Sequence, residues 1–139
     1  MSTQSNKDTI RRLFEEVANA HDVEAVSRFW AEDFVNHDGQ PGQRPGAVGV
    51  QDGLRGLFAA FPDYHEEILA LVADGDLVAA HVLLTGTHQG DYLGLPATNR
   101  RVEFRLMEIF RLAGGKVAEM WVVADQLSLL RQLGALPTR

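Results

Sequence analysis

No cysteine occurs among the 139 residues, which excludes disulfides, thiolate nucleophiles, zinc–thiolate sites and iron–sulfur clusters. No uninterrupted apolar run approaches the roughly 20 residues that a membrane-spanning helix needs. The opening residues Met1-Ser2-Thr3-Gln4-Ser5-Asn6-Lys7 are polar and have no apolar signal core, so a cytoplasmic protein is expected. Positive charge is also scarce: 13 Lys and Arg against 19 Asp and Glu give a formal charge of −6. The basic residues are scattered, and a nucleic-acid partner, whose phosphates must be neutralised, is not expected. There are five histidines, but no two stand at helical i, i+4 spacing and no HExxH motif occurs. The expectation is no metal.

What is present is enough apolar surface for one core. With 45% hydrophobic side chains, residues 1–139 are expected to form a single domain that buries about two-thirds of its unfolded surface. Ile10, Leu13, Phe14 and Val17 follow the spacing of a one-faced helix from about Lys7 to Ala20, with Ser5 as its cap. Asp22 reads as the cap of a short second helix in which Val23, Val26, Phe29 and Trp30 share a face. Phe34-Val35-Asn36-His37-Asp38 reads as a short strand before a Gly/Pro-rich loop through Pro45. A third helix carries Val50, Leu54, Leu57, Phe58 and Phe61 inward and ends at Pro62, because proline cannot continue it.

From Tyr64 the pattern changes to strands. Tyr64–Ala73, Leu77–Thr87, Val102–Leu112 and Lys116–Ala124 are separated by a turn at Asp74-Gly75-Asp76, a long loop, and a turn at Ala113-Gly114-Gly115. A last helix, Gln126–Leu133, is closed by Gly134. Helices first and strands later indicate an α+β fold. Strand Leu77–Leu84 is apolar on both alternating faces, so a cover is needed on each, by helices on one side and by a second copy of the chain or the sheet's own curl on the other. A homodimer or higher homo-oligomer is the simplest expectation.

Asp125 is the principal candidate for chemistry. It stands at the end of the apolar strand Lys116–Ala124, where a desolvated carboxyl has its pKa raised toward the range in which proton transfer is effective. It also stands directly before a helix, where Asp is among the best N-caps. His81 lies mid-strand among Ala79, Val82 and Leu83, the usual setting of a hydrogen-bonded core histidine, and His37 lies at a strand end beside Asn36 and Asp38, where turn hydrogen bonds account for it. His65 and His88 read as surface or loop residues, and His21 as part of the first helix's end. Arg105 and Glu108 occupy opposite faces of one strand, so at most one of them points into a pocket. The loop His88–Pro96 is long for a strand connection and carries the apolar pair Tyr92 and Leu93.

Five segments, in this order and at this spacing, resemble one family: Phe34-Val35-Asn36-His37-Asp38; Phe61-Pro62-Asp63-Tyr64; Thr85-Gly86-Thr87-His88-Gln89-Gly90 with Leu95-Pro96-Ala97-Thr98-Asn99-Arg100; Ile109-Phe110-Arg111 before the Gly-Gly-Lys turn; and Trp121 with Asp125 ahead of Gln132-Leu133-Gly134. The chain resembles the SnoaL-like polyketide cyclases, within the nuclear-transport-factor-like superfamily, over nearly its whole length. The resemblance implies a cone-shaped, curved antiparallel or mixed sheet whose N-terminal helices enclose a pocket for an apolar small-molecule substrate.

It further implies a cofactor-independent aldol-type closure of a carbonyl or ester compound, with Asp125 as general acid/base. It makes His37 a pocket-rim residue, and His81, if its strand face lines the pocket, a donor to a substrate oxygen. Trp30, Phe58, Phe61 and Trp121 become flat walls, Trp121 being in phase with Asp125 on its strand, while Tyr92 and Leu93 border the mouth. An inward Arg105 beside Asp125 would resemble limonene-type epoxide hydrolases, but those need a second pocket aspartate that the sequence does not place. A non-catalytic ligand-binding or interaction module is the rival reading, since this fold serves both purposes.

Overall fold

Ser2, rather than Ser5, starts the first helix: its hydroxyl oxygen accepts the Ser5 backbone N–H, and α1 runs Thr3–Leu13. The computed structural model describes residues 2–136, so the outermost positions of the expected 1–139 domain lie outside the described residues. A π-helical turn, Phe14–Ala18, continues α1 and is closed by the i, i+5 bond from Asn19 N–H to the Phe14 carbonyl at 2.8 Å. Asp22 caps as expected, accepting from Ala25 N–H, and a 3₁₀ turn at Val23–Ala25 leads into α2, Val26–Phe29.

Strand β1 spans Trp30–Asn36, four residues earlier than its sequence signal. Helical spacing groups Trp30 with Phe29. Parallel pairing with the far end of the chain, Trp30 with Val117 and Asn36 with Met120, pulls Trp30 into the strand instead. After the loop, α3 runs Gly46–Ala60. Four strands follow: β2 His65–Asp74, β3 Leu77–Thr87, β4 Arg101–Ala113 and β5 Lys116–Ala124. Helix α4, Gln126–Gln132, ends the fold. The sheet is mixed, curved and unclosed, in the order β1-β5-β4-β3-β2, with every pair antiparallel except β1 and β5. This is the expected α+β architecture. No helix among the described residues is long and apolar enough to cross a membrane.

The two faces of the sheet differ. Val78, Ala80, Val82 and Leu84 of β3, with Phe104 and Phe110 of β4, are buried against Ile10, Leu13, Phe14 and Val17 of the first helical segment. Phe14 meets Phe110 edge-on with ring centres 6.3 Å apart. The odd-numbered residues of β3 stay half-exposed on the outer face. A bulge in β2 between Ile68 and Ala70 inserts Leu69, so Glu66 and Ile68 face inward before it and Leu71 and Ala73 face inward after it.

Candidate active site

Period-two alternation along β4 turns Phe104, Leu106, Glu108 and Phe110 toward the helices and Arg105, Met107 and Ile109 away. Glu108 therefore lies on the wall of a cavity of about 560 Å³ between the sheet and the helices, a size suited to a small organic ligand. Leu84, Phe104, Leu106 and Val122 make its floor, Leu13 and Val17 one side, and Leu54 and Leu57 of α3 another. Tyr92 and Leu93 stand on it together with Asp91, and Trp30, Asn36 and Asp38 approach from the β1 end. Every charged side chain lining it is acidic: Asp38, Asp52, Glu66, Asp91 and Glu108.

Two carboxyls on this wall titrate abnormally. Removal from water raises Glu108 well above the ordinary carboxylate value of 4.5, and repulsion from Glu66 raises it further. Glu66, also desolvated, is pushed up to about 7, held back by the hydrogen bond that its carboxylate accepts from the Tyr64 hydroxyl. Tyr64 is buried, and burial raises its hydroxyl well above 10.0, with the charge of Glu66 adding to the effect. Tyr92 is raised as well, by burial first, against a neighbouring Gln126 that lowers it. Sequence reasoning missed Glu66 and Tyr64. The available signal was phase: Tyr64, Glu66 and Ile68 alternate on one face before the bulge.

The loop that carries Tyr92 is fastened at its base. His88 lies in the loop as expected but is fully buried rather than at the surface, and its Nδ1 accepts the Thr98 backbone N–H at 3.2 Å. Gln89 and Gly90 donate their backbone N–H to the Ala60 carbonyl at 2.9 and 3.1 Å. Only glycine fits at position 90, because a Cβ there would sit 2.2 Å from the Ala59 carbonyl oxygen. Leu93 turns outward from a left-handed backbone, φ 49°, and is 63% exposed at the mouth.

Several residues singled out from the sequence lie off the cavity wall. Asp125 is in phase with Trp121, but the shared face is the outer one; it is exposed, and its carboxylate accepts the Ser128 N–H at 3.0 Å as the N-cap of α4. His81 pairs with the exposed Met107 on the outer face, because its odd position in β3 is fixed by Val78, Ala80 and Val82 facing in. His37 stacks on Trp121, ring centres 4.8 Å apart, and bonds Glu119 at 3.0 Å, again outside. Glu119 is held below the usual carboxylate range by Arg111 first and His37 second.

Arg105 is exposed, which removes the arginine-bridged carboxylate arrangement of the hydrolase alternative. Phe58 stacks on His21 at 4.2 Å, while His21 Nε2–H donates to the Tyr64 carbonyl at 2.7 Å; Phe61 is buried beneath His88 and Tyr92. Neither phenyl lines the cavity. Trp30, Tyr92, Leu93 and Glu108 do. Asp125→Asn is therefore expected to leave both the melting temperature and any turnover nearly unchanged, since Asn and Asp cap equally well; a thermal melt and a rate measurement on the one variant check it.

A curved sheet and N-terminal helices around an apolar, acid-lined cavity define an α+β cone. The chain belongs to the SnoaL-like polyketide cyclase family, whose model matches residues 8–133. It is 30% identical over 145 aligned residues to aklanonic acid methyl ester cyclase DnrD of Streptomyces peucetius, covering 96% of this chain and 92% of that one. It is 28% identical over 138 residues to the corresponding cyclase DauD of Streptomyces sp. strain C5, covering 91% and 80%. Among solved structures, TsrD from Streptomyces laurentii superposes with a TM-score of 0.90 at 26% identity, covering 98% of this chain and 99% of that one.

Proposed function

We propose that this protein is a cofactor-independent acid–base enzyme that closes a ring in an apolar, polyketide-type carbonyl compound. The observation that carries the reading is the placement of two carboxyls, Glu66 and Glu108, on the wall of an apolar cavity whose lining has no basic side chain, where removal from water raises both above the ordinary carboxylate range. Such groups exchange protons with weak carbon acids near neutral pH, which solvent-exposed carboxylates do poorly. Asp125, exposed and engaged as a cap, has no place in this chemistry.

The reaction balances without an oxidant or reductant. A carboxylate takes the proton from a carbon beside one carbonyl, and the carbanion attacks a second carbonyl carbon of the same molecule. A carbon–carbon bond forms, the second carbonyl's π pair moves to its oxygen, and that oxygen receives a proton from a carboxylic acid. The product is an isomer of the substrate. Trp30, Phe104 and Tyr92 offer flat surfaces for fused rings.

Aklanonic acid methyl ester, from the names of two relatives, is the first compound to try. Incubation should give a product of unchanged mass and altered retention, and in deuterium oxide the recovered material should carry deuterium beside the carbonyl. A panel of polyketide methyl esters that shows neither would overturn the enzyme reading, and tight binding without turnover would establish a binding module.

The assembly proposed with this reading is a homodimer through the outer face of the sheet. There Val72, Met107, Ile109 and Val123 are 63, 56, 41 and 72% exposed, an apolar surface that a monomer in water would not normally leave bare. Light scattering should give about twice 15.3 kDa, and Val123→Glu with Met107→Glu should return it to one chain.

A further inference from the structure

Glu66 and Glu108 face one cavity from different strands and have unlike surroundings. Glu66, on β2, is held by the hydroxyl of Tyr64, two residues before it. Glu108, on β4 opposite Ala80 and Val122, has only apolar strand neighbours. Within the cavity no element brings a positive charge to the lining: β3 presents Leu84, β5 presents Val122 and Met120, and the first helical segment presents Leu13 and Val17; Glu66 also borders a second, more open hollow lined by Arg11 and Glu15 of the first helical segment with Asn19 and His65. The titratable groups that do face the cavity are Tyr64 and Tyr92 within it, with Asp38, Asp52 and Asp91 along it. His21 lies behind Tyr64, on its carbonyl.

Two carboxylates in an apolar space with no cation repel, and the protein lowers its energy by keeping one proton on the pair. The position of that proton follows from the Tyr64 hydroxyl. A phenol O–H donated to a carboxyl stabilises its ionised form, so the negative charge settles on Glu66 and the proton on Glu108.

We propose that Glu66 and Glu108 act as one unit that holds a single proton once Glu66 has ionised, Glu66 as the carboxylate base that takes a proton from the ligand and Glu108 as the carboxylic acid that donates to its carbonyl oxygen, with Tyr64 as the positioning residue that sets this order. The assignment of catalytic roles rests on the acid–base reading above; the proton-sharing pair does not, and the two can fail separately. In one turnover Glu66 gains the proton from carbon and Glu108 gives its proton to oxygen. The pair is left with the opposite arrangement and returns to the first when a proton passes from Glu66 to Glu108. Transfer through water entering after product release leaves the proton count unchanged.

The pair predicts an asymmetry that a lone perturbed carboxyl would not show. With Glu108 neutral while Glu66 titrates, Glu108→Gln should leave the Glu66 midpoint near about 7. Glu66→Gln removes the charge that opposes ionisation of Glu108, so the Glu108 midpoint should fall. Tyr64→Phe keeps the ring and its packing but removes the donor. A hydrogen bond to a charged group contributes about 1.5–3 kcal/mol, so the Glu66 midpoint should rise by about one to two pH units.

The experiment is a titration of ¹³C-glutamate-labelled protein, without ligand, followed through the side-chain carboxyl carbons in wild type and the three variants. In wild type, one carboxyl should titrate near pH 7 while a second stays protonated at about pH 8, and Glu108→Gln should remove the second signal. Infrared spectra of unlabelled wild type at about pH 8 should show one protonated-carboxyl band. The pair is overturned if both carboxyls are ionised at pH 7, if Glu108→Gln shifts the Glu66 midpoint as far as Glu66→Gln shifts that of Glu108, or if Tyr64→Phe lowers or does not move Glu66. The wild-type spectra decide the matter even if a variant does not fold. A confirmed pair in a protein that turns over no carbonyl compound would leave the pair standing and remove the cyclase reading.

Discussion

Glu108→Gln is expected to lower kcat by about 10²–10⁴, the usual contribution of a positioned general acid or base, while the folded protein becomes more stable at neutral and alkaline pH. Glutamine has nearly the shape of a protonated glutamic acid and can still donate a hydrogen bond, so the cavity is not reshaped; what disappears is the proton. The stability effect follows from linkage. The carboxyl titrates near 4.5 in an unfolded chain and well above that in the fold, so the folded state binds more protons. Its contribution is fully present below the unfolded value and is lost as pH rises through the folded one.

Glu66 acts in the same direction, with the loss centred near its folded value of about 7. Wild type should therefore lose stability as pH rises above about 4.5, through about 7 from Glu66 and onward until the folded value of Glu108 is passed, and the Glu108→Gln melting temperature should be higher by several degrees at pH 7. That gain corresponds to no more than about 3 kcal/mol, as 1.36 kcal/mol accompanies each unit of pKa. Melts across this pH range beside steady-state rates supply both halves. A variant that stays fully active, or that is less stable at pH 8 than wild type, contradicts the role assigned to Glu108. The rate of wild type should rise with pH through about 7 as the base on Glu66 ionises, and fall again where Glu108 loses its proton.

Phe110→Ala is the substitution expected to cost most in stability, about 3–5 kcal/mol out of the 5–15 kcal/mol of an ordinary domain. Phe110 is 1% exposed on β4, meets Phe14 edge-on, and also borders the cavity. Truncation removes the contact that fastens the first helical segment to the sheet and leaves a void continuous with the ligand space, which its surroundings cannot readily fill. Chemical denaturation should show the loss at every pH, since no titrating group is removed; this separates it from the Glu108 effect. A loss below about 1 kcal/mol would show that the helix is held elsewhere.

The fold was largely readable from local pattern because its helices and meander strands are amphipathic over many residues. Ile10 to Val17, Val50 to Phe58 and the alternation of β3 each declare their own period. Local spacing groups Trp30 with the helix before it, because its strand partner, Val117, is remote in sequence and no local pattern reports such a pairing. For the same reason the site was only partly legible. Glu108 and Arg105 were correctly set on opposite faces, but the choice between them depended on which face of β4 the helices cover. Asp125 drew attention through its position after an apolar strand, yet the phase that ties it to Trp121 points both outward. Glu66 was hidden by the bulge at Leu69, which breaks the alternation of β2, and its value as a site residue comes from Tyr64, Glu108 and a cavity that forms only in three dimensions.

The parallel pairing of β1 with β5 has a consequence for the order in which the chain acquires function during synthesis. Trp30 meets Val117 at a sequence separation of 87, a long loop to close compared with the hairpins β2–β3 and β4–β5. A nascent chain that has left the ribosome only through β4 contains both carboxyls and most of the helices, but not Met120 or Val122, which help line the cavity. Ligand capacity should appear abruptly once Lys116–Ala124 is available, and chains arrested before that point should fail to retain ligand although both Glu66 and Glu108 are already in them.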